Sequence, residues 1–268
     1  MTPKRFTLPA GRLLAWREHG SGPPLVLLHG WSLSGLVFAE LAEELTGFRL
    51  LLPDLPGHGA SSPPATASLS ALADDLETWL AAVAPGPVRL GGWSLGGMLT
   101  MELAVRQNIA VERLLLIGTT PRFTAGVDWP HGLPATQVRA LARNLERRFA
   151  ATLGEFFALT FVVGEADAAR LRAIRAFAVQ PTSLPDAATA AALLNLLEHH
   201  DQRQLPARIT CPTLVIHGAE DHIVPVGAGR SVAASLPQGQ LCELPATGHA
   251  PHWTRLPATA RAIREFCA

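Results

Sequence analysis

Gly92-Trp93-Ser94-Leu95-Gly96 stands between an apolar strand pattern, Pro87-Val-Arg-Leu-Gly91, and a helical pattern from Gly96 to Gln107. A G-x-S-x-G pentapeptide in an arbitrary place is a weak signal. Between a strand and a helix it is a strong one, because there it fits a sharp turn that presents a serine hydroxyl above a sheet. Small residues two before and two after Ser94, with Gly97 as a third, keep neighbouring backbone from clashing across such a turn. The helix that follows would aim its N-terminal dipole at developing negative charge. The plainer alternative is a Gly-rich packing turn; the strand and helix on either side weigh against it.

The same alternation extends in both directions. Pro24–Leu28, Arg49–Leu52, Val111–Ile117, Thr213–His217 and Gln240–Leu244 read as strands. Phe38–Leu45, Ser68–Val83 and Pro257–Phe266 read as helices. Continuous apolar strands between helices imply an α/β fold with a mostly parallel central sheet covered on both faces. The alternation stops between about Pro121 and Arg203, where helical periodicity appears without a convincing strand. Val138, Leu141, Leu145 and Phe149 recur three or four apart, as on one helix face. Thr119-Thr-Pro121 and Pro181-Thr-Ser-Leu-Pro185 punctuate this stretch. The expected organisation is a core of residues 1–120 and 204–268 with a helical cap of residues 121–203 inserted between two strands.

A serine hydroxyl becomes a useful nucleophile only when a base accepts its proton. Of ten histidines, His249 lies in Ala246-Thr-Gly-His-Ala250, after a late strand and before the last helix. The chain order serine, acid, histidine places the acid after the preceding strand. Gly218-Ala-Glu-Asp-His222 supplies Asp221, with Glu220 as the fallback, and His252 is a competing base. The carboxylate would orient the imidazole and stabilise its protonated form. Two backbone N–H groups, of Leu95 and of Trp31 in the early loop His29-Gly30-Trp31, are the expected oxyanion donors. His29 could be a second base, but bracing this loop is the role expected of it. Asp54-Leu-Pro-Gly-His-Gly59 could suggest a metal or phosphate loop; without an accompanying ligand cluster it reads as a tight turn.

Composition sets the frame. At 268 residues and 48% apolar, the chain can bury one large core. Twenty-two basic side chains balance 22 acidic ones, so overall charge points to no nucleic-acid or membrane partner. Three widely spaced cysteines show neither C-x-x-C nor zinc spacing. The N-terminus has no apolar run of signal-peptide type, and the apolar runs are too short to span a bilayer. The expectation is a soluble, cytoplasmic, monomeric protein without metal or organic cofactor.

Gly30-Trp31, Asp54-Leu-Pro-Gly-His-Gly59, Gly92-Trp-Ser-Leu-Gly-Gly97 and Gly248-His249-Ala-Pro251 resemble the α/β-hydrolase superfamily along nearly the whole chain. More specific segments are Gly91–Gly97, Thr119-Thr-Pro-Arg-Phe123 with Asp128-Trp-Pro130, Leu159-Thr160, Asp201–Leu205 and His249-Ala-Pro251. These look like the carboxylesterases of the biotin pathway that demethylate pimeloyl-acyl carrier protein methyl ester. The resemblance implies an acyl chain running between the triad (Ser94, Asp221, His249) and the segment Leu141-Ala142-Arg143-Asn144-Leu145, with Trp31 and Leu95 beside it. It also implies an acidic acyl carrier protein as partner. Residues 121–180 hold eight arginines against five acids, and Arg139, Arg143 and Arg147 recur every fourth residue, with Arg148 adjacent. A solvated helix face paired with Glu146 and its neighbours is the bland reading of that stripe; a dock for the acidic carrier is the functional one. A broad short-chain carboxylesterase acting on small esters is the rival enzyme. A receptor that keeps a triad but signals through its cap is the rival of another class, and lyases or carbon–carbon hydrolases also use such a triad.

Overall fold

The computed structural model describes residues 1–180 and 183–268; Pro181-Thr182, part of the punctuation read inside the insertion, lie outside the described residues. Eight strands form one sheet: β1 Lys4–Thr7, β2 Leu13–His19, β3 Pro24–Leu28, β4 Arg49–Pro53, β5 Val88–Trp93, β6 Val111–Ile117, β7 Thr213–Gly218 and β8 Gly239–Leu244. Their order is β1-β2-β4-β3-β5-β6-β7-β8. From β4 to β8 every neighbouring pair is parallel, and β1 and β2 add an antiparallel edge.

The central strands are apolar throughout because both faces are covered. Their side chains alternate: Val26 and Leu28 of β3, with Leu114 and Leu116 of β6, join one core layer, while Leu25, Leu27, Leu115 and Ile117 join the other. The first layer is closed by α2 (Leu69–Val83), α3 (Leu95–Arg106) and α7 (Val226–Ser235), the second by α1 (Ala39–Glu44) and α9 (Leu256–Cys267). Ser68 starts α2 by accepting the Ala71 N–H at 3.1 Å, an N-cap of ordinary kind. Sequence patterning passes over β1, β2 and α7. β1 is four largely exposed residues, and α7 (VGAGRSVAAS) is rich in Gly and Ser, poor helix formers.

Three helices, α4 (Ala135–Ala158), α5 (Ala168–Ala178) and α6 (Ala187–His199), lie between β6 and β7. Asp167 and Asp186 cap the last two, accepting the Arg170 and Thr189 N–H groups at 2.7 Å. α4 is kinked at Arg148, whose φ/ψ of −152°/58° leaves the helical region. The entry and exit of the insertion are tied together: Gln202 N–H donates to Pro121 O at 3.0 Å, and Arg203 pairs with both Asp128 (2.7 Å) and Asp201 (2.8 Å). Among the described residues no helix is long and apolar enough to cross a membrane.

Candidate active site

Ser94 sits between β5 and α3 with φ 56° and ψ −117°, a left-handed conformation unusual for a residue with a Cβ. Such strain costs about 1–3 kcal/mol and persists where the surroundings over-determine it. Here the surroundings are tight. A Cβ on Gly92 would come within 2.2 Å of the Gly96 carbonyl, and one on Gly96 within 2.1 Å of Leu28 O. The two glycines of the pentapeptide are therefore required by contact, as the spacing implied. The Ser94 N–H donates to Ile117 O at 3.0 Å, which ties the bend to β6.

His249 follows β8 and precedes the short helix α8 (Pro251–Thr254). Its Nδ1–H donates to Asp221 Oδ2 at 2.7 Å, which leaves Nε2 as the ring's acceptor. Asp221 is buried; its Oδ1 accepts the Ile223 and Val224 N–H groups, each at 2.8 Å. Burial alone would raise its carboxyl pKa, but the charge of His249 and hydrogen bonds from His217 and His249 outweigh burial and hold it below the usual carboxylate range. His217 Nε2 lies 3.4 Å from the same Oδ2 and donates to Val224 O at 2.8 Å. The fallback acid Glu220 is exposed. The competing base His252 is buried against Phe38, Trp93 and Trp253, and neither ring nitrogen has a hydrogen-bond partner among the described residues. Burial, then the charge of His249, pushes its pKa down to about 3. It is a packing residue.

The early loop is braced by two neutral imidazoles. His29 Nε2 accepts the Leu55 N–H at 2.8 Å, so its Nδ1–H donates to Gly30 O at 2.8 Å. His58 Nε2 accepts the Ser32 N–H at 3.2 Å. Burial holds their pKa values at about 4 and about 3 respectively. Asp54 accepts from Arg17 (2.7 Å), Gly35 N–H (2.9 Å) and Ala60 N–H (3.0 Å). Residues 54–59 are thus the strut behind the loop. The N–H groups of Trp31 and Leu95 donate to no partner among the described residues. The Trp31 indole spans to the insertion, donating to Ala190 O at 3.0 Å and meeting Phe156 edge-on at 5.1 Å.

Ser94, His249 and Trp31 line one cavity. Its other walls are mostly apolar: Phe123 from the entry of the insertion, Leu153, Phe156 and Phe157 from the second half of α4, and Leu197 from α6, with Ser32 and Thr160 as polar members. The segment expected to line it is elsewhere. Leu145 is buried in the core, Ala142 is partly buried against it, and Arg143 is exposed. Leu141 and Asn144 line a neighbouring groove that shares only Phe156 with the catalytic cavity. The reason is that α4 reaches over Ser94 only beyond its kink. The lining residues missed by sequence reasoning, Phe156 and Phe157 above all, do carry a signal: an aromatic pair two turns past the arginine stripe.

Arg139, Arg143 and Arg147 are exposed and have no ion-pair partner among the described residues, and Glu146 pairs with none of them. Arg148 instead meets Glu155 at 2.8 Å across the kink. Among the described residues no group of three or more His, Cys, Asp or Glu is arranged to hold a metal ion.

A family model described as alpha/beta hydrolase fold matches residues 23–256. The chain therefore belongs to the α/β-hydrolase family. A pimeloyl-[acyl-carrier protein] methyl ester esterase of Chromobacterium violaceum is 40% identical over 250 residues, covering 92% of this chain and 94% of the relative. A protein of the same name in Nitrosomonas europaea is 37% identical over 233 residues, covering 87% and 90%. Among solved structures, a thermophilic esterase from Thermogutta terrifontis is 27% identical with a TM-score of 0.83, covering 100% of this chain and 98% of its own. An esterase from Exiguobacterium antarcticum reaches a TM-score of 0.91 at 22% identity and 99% coverage of both chains, a likeness of fold alone.

Proposed function

We propose that this chain is a serine carboxylesterase that hydrolyses the methyl ester of pimeloyl-acyl carrier protein, releasing methanol and the free pimeloyl-carrier acid. The relatives named above support the substrate. One observation carries the chemistry: an imidazole bonded at 2.7 Å to a buried carboxylate faces the same cavity as a serine on a strained strand-to-helix bend.

In this reading Ser94 Oγ attacks the ester carbonyl as His249 Nε2 takes its proton. The carbonyl oxygen becomes negative and is held by the Trp31 and Leu95 N–H groups, each contributing about 2.7–4 kcal/mol to the transition state. The imidazolium, stabilised by Asp221, gives its proton to the methoxy oxygen and methanol leaves. Water then loses a proton to His249 and attacks the acyl-serine. The second collapse returns the proton to Ser94 and frees the carboxylate.

Residues 121–203 act in this reading as a cap over the acyl chain, whose apolar methylenes suit the walls built by Phe123, Leu153, Phe156 and Phe157. The stripe Arg139, Arg143 and Arg147, without ion-pair partners among the described residues, and Arg148 at its end, paired with Glu155, are the proposed dock for the acidic carrier. A side-by-side assay of the carrier-bound methyl ester and small nitrophenyl esters tests the assignment. A kcat/KM advantage for the carrier ester supports it. Equal or lower values leave a broad short-chain esterase, and a single labelling event without turnover leaves a receptor.

A further inference from the structure

The loop that carries His249 is held by the insertion as well as by its own core. His249 N–H donates to Thr160 O at 2.8 Å. One residue earlier, Gly248 N–H donates to Glu165 Oε1 at 2.9 Å. Thr254, on the helix turn after His249, gives its hydroxyl proton to the same Oε1, while Oε2 accepts the Val162 N–H at 2.8 Å. Gly248 has no room for a side chain on this side: a Cβ would sit 2.4 Å from Thr160 O and 3.0 Å from Glu165 Oε2. Glu165 is 8% exposed, and a carboxylate so buried is retained only when its oxygens are satisfied. Each of its three donors is uncharged, and none is a lysine or arginine side chain. A second tie lies next to it: Arg170 of α5 bonds Glu40 of α1 at 2.7 Å and Trp253 O at 2.7 Å.

From this geometry we infer that Glu165 is a positioning residue for the catalytic base: it clamps the Gly248-His249 backbone to the insertion, so that seating of the cap and alignment of His249 on Asp221 are one event. Glu165 touches neither Ser94 nor the cavity; it acts through the Gly248 and Thr254 contacts. The inference rests on the triad reading above but not on the identity of the acyl carrier. Losing the clamp lets the ring tilt away from Asp221, which costs turnover more than binding and weakens the stabilisation of the imidazolium.

The test uses the full chain and p-nitrophenyl acetate. Glu165→Ala is expected to lower kcat about tenfold with KM within about twofold, since misplacement of a catalytic group by a fraction of an ångström has effects of this order. The acid limb of the kcat profile, which reports His249, should move to lower pH. Glu165→Gln keeps one acceptor oxygen but turns an NH2 toward an N–H donor, so it should fall between the parent and Glu165→Ala. Thr254→Val, which removes one donor, should shift kcat in the same direction by less. Ser94→Ala run alongside separates the two claims, because activity surviving there defeats the triad reading itself. With Ser94→Ala inactive, folded Glu165 variants whose kcat and acid limb match the parent overturn the clamp. If Glu165→Ala fails to fold, the Gln and Val variants decide on the same readouts.

Discussion

The two halves of the active site are built by opposite means. On the core side, positions are set by backbone contact: Ser94 is trapped by Gly92 and Gly96, and the loop that carries Trp31 is pinned by buried neutral His29 and His58. On the cap side, walls are apolar side chains on a kinked helix, and the outer face is a row of exposed arginines without partners among the described residues. The first kind of structure cannot be altered without breaking it. The second can change its lining or its charge and keep the fold. One chain therefore separates the chemistry from the choice of substrate.

The largest expected effect tests the rigid half. Ser94→Ala should lower kcat by on the order of 10⁶, as removal of a triad nucleophile does elsewhere, with the thermal midpoint essentially unchanged. Steady-state kinetics and a melt measure both, and residual turnover within a hundredfold of the parent would sink the nucleophile assignment. Next, the corrected cap wall can be challenged directly. Phe156→Ala should cost about tenfold in kcat/KM for the pimeloyl ester through lost apolar contact, whereas Leu141→Ala should stay within about twofold. The reverse ranking would restore residues 141–145 as the acyl wall.

A smaller effect is expected at the outer face. Combined charge reversal, Arg139→Glu with Arg143→Glu and Arg147→Glu, should reduce kcat/KM for the carrier-bound ester several-fold to about tenfold at low salt, and less at high salt. Hydrolysis of p-nitrophenyl acetate should not change; loss there would mean a damaged cap and not a lost dock. The smallest effect concerns protons. His29, His58 and His252 have folded pKa values of about 4, 3 and 3, all below the ordinary histidine value. Unfolding then takes up protons between about pH 3 and 6.5, so the stability these residues contribute is full above 6.5 and is lost as pH falls. At pH 5 the slope of unfolding free energy against pH should correspond to about three protons from this set, and His58→Gln should remove about one. An unchanged slope would show that His58 is not buried in its neutral form.

Much of the rigid half was legible because its signals are local. The strand, the G-x-S-x-G turn and the helix are consecutive, and the order serine, acid, histidine restricts which turns can supply partners. Asp221 over Glu220 and His249 over His252 follow from which residue lies at the right distance past its strand, and the structure joins that pair at 2.7 Å. The cap was legible as helices but not as a surface. A 3.6-residue period shows which face is apolar; it does not say where along a 24-residue helix a kink at Arg148 will turn that face toward the serine. For the same reason the pattern points to residues 141–145 as the wall, whereas Leu153, Phe156 and Phe157 line the cavity that holds Ser94. The edge strand β1 escaped notice because strand signals are weak where burial is partial.

By itself the amino-acid order determined the strand-to-helix bend at Ser94, the candidate pair His249 and Asp221, the mostly parallel sheet and the presence of an inserted helical segment. Each of these depends on neighbours a few residues apart, where steric and periodic constraints act directly on the sequence. Only the tertiary structure decided which residues of the insertion wall the cavity, that His58 is a strut beside His29, and that Glu165 reaches the histidine loop across 83 positions of chain. Those outcomes depend on which surfaces meet after folding. No local pattern encodes such meetings, because contact between distant segments is fixed by the packing of the whole core.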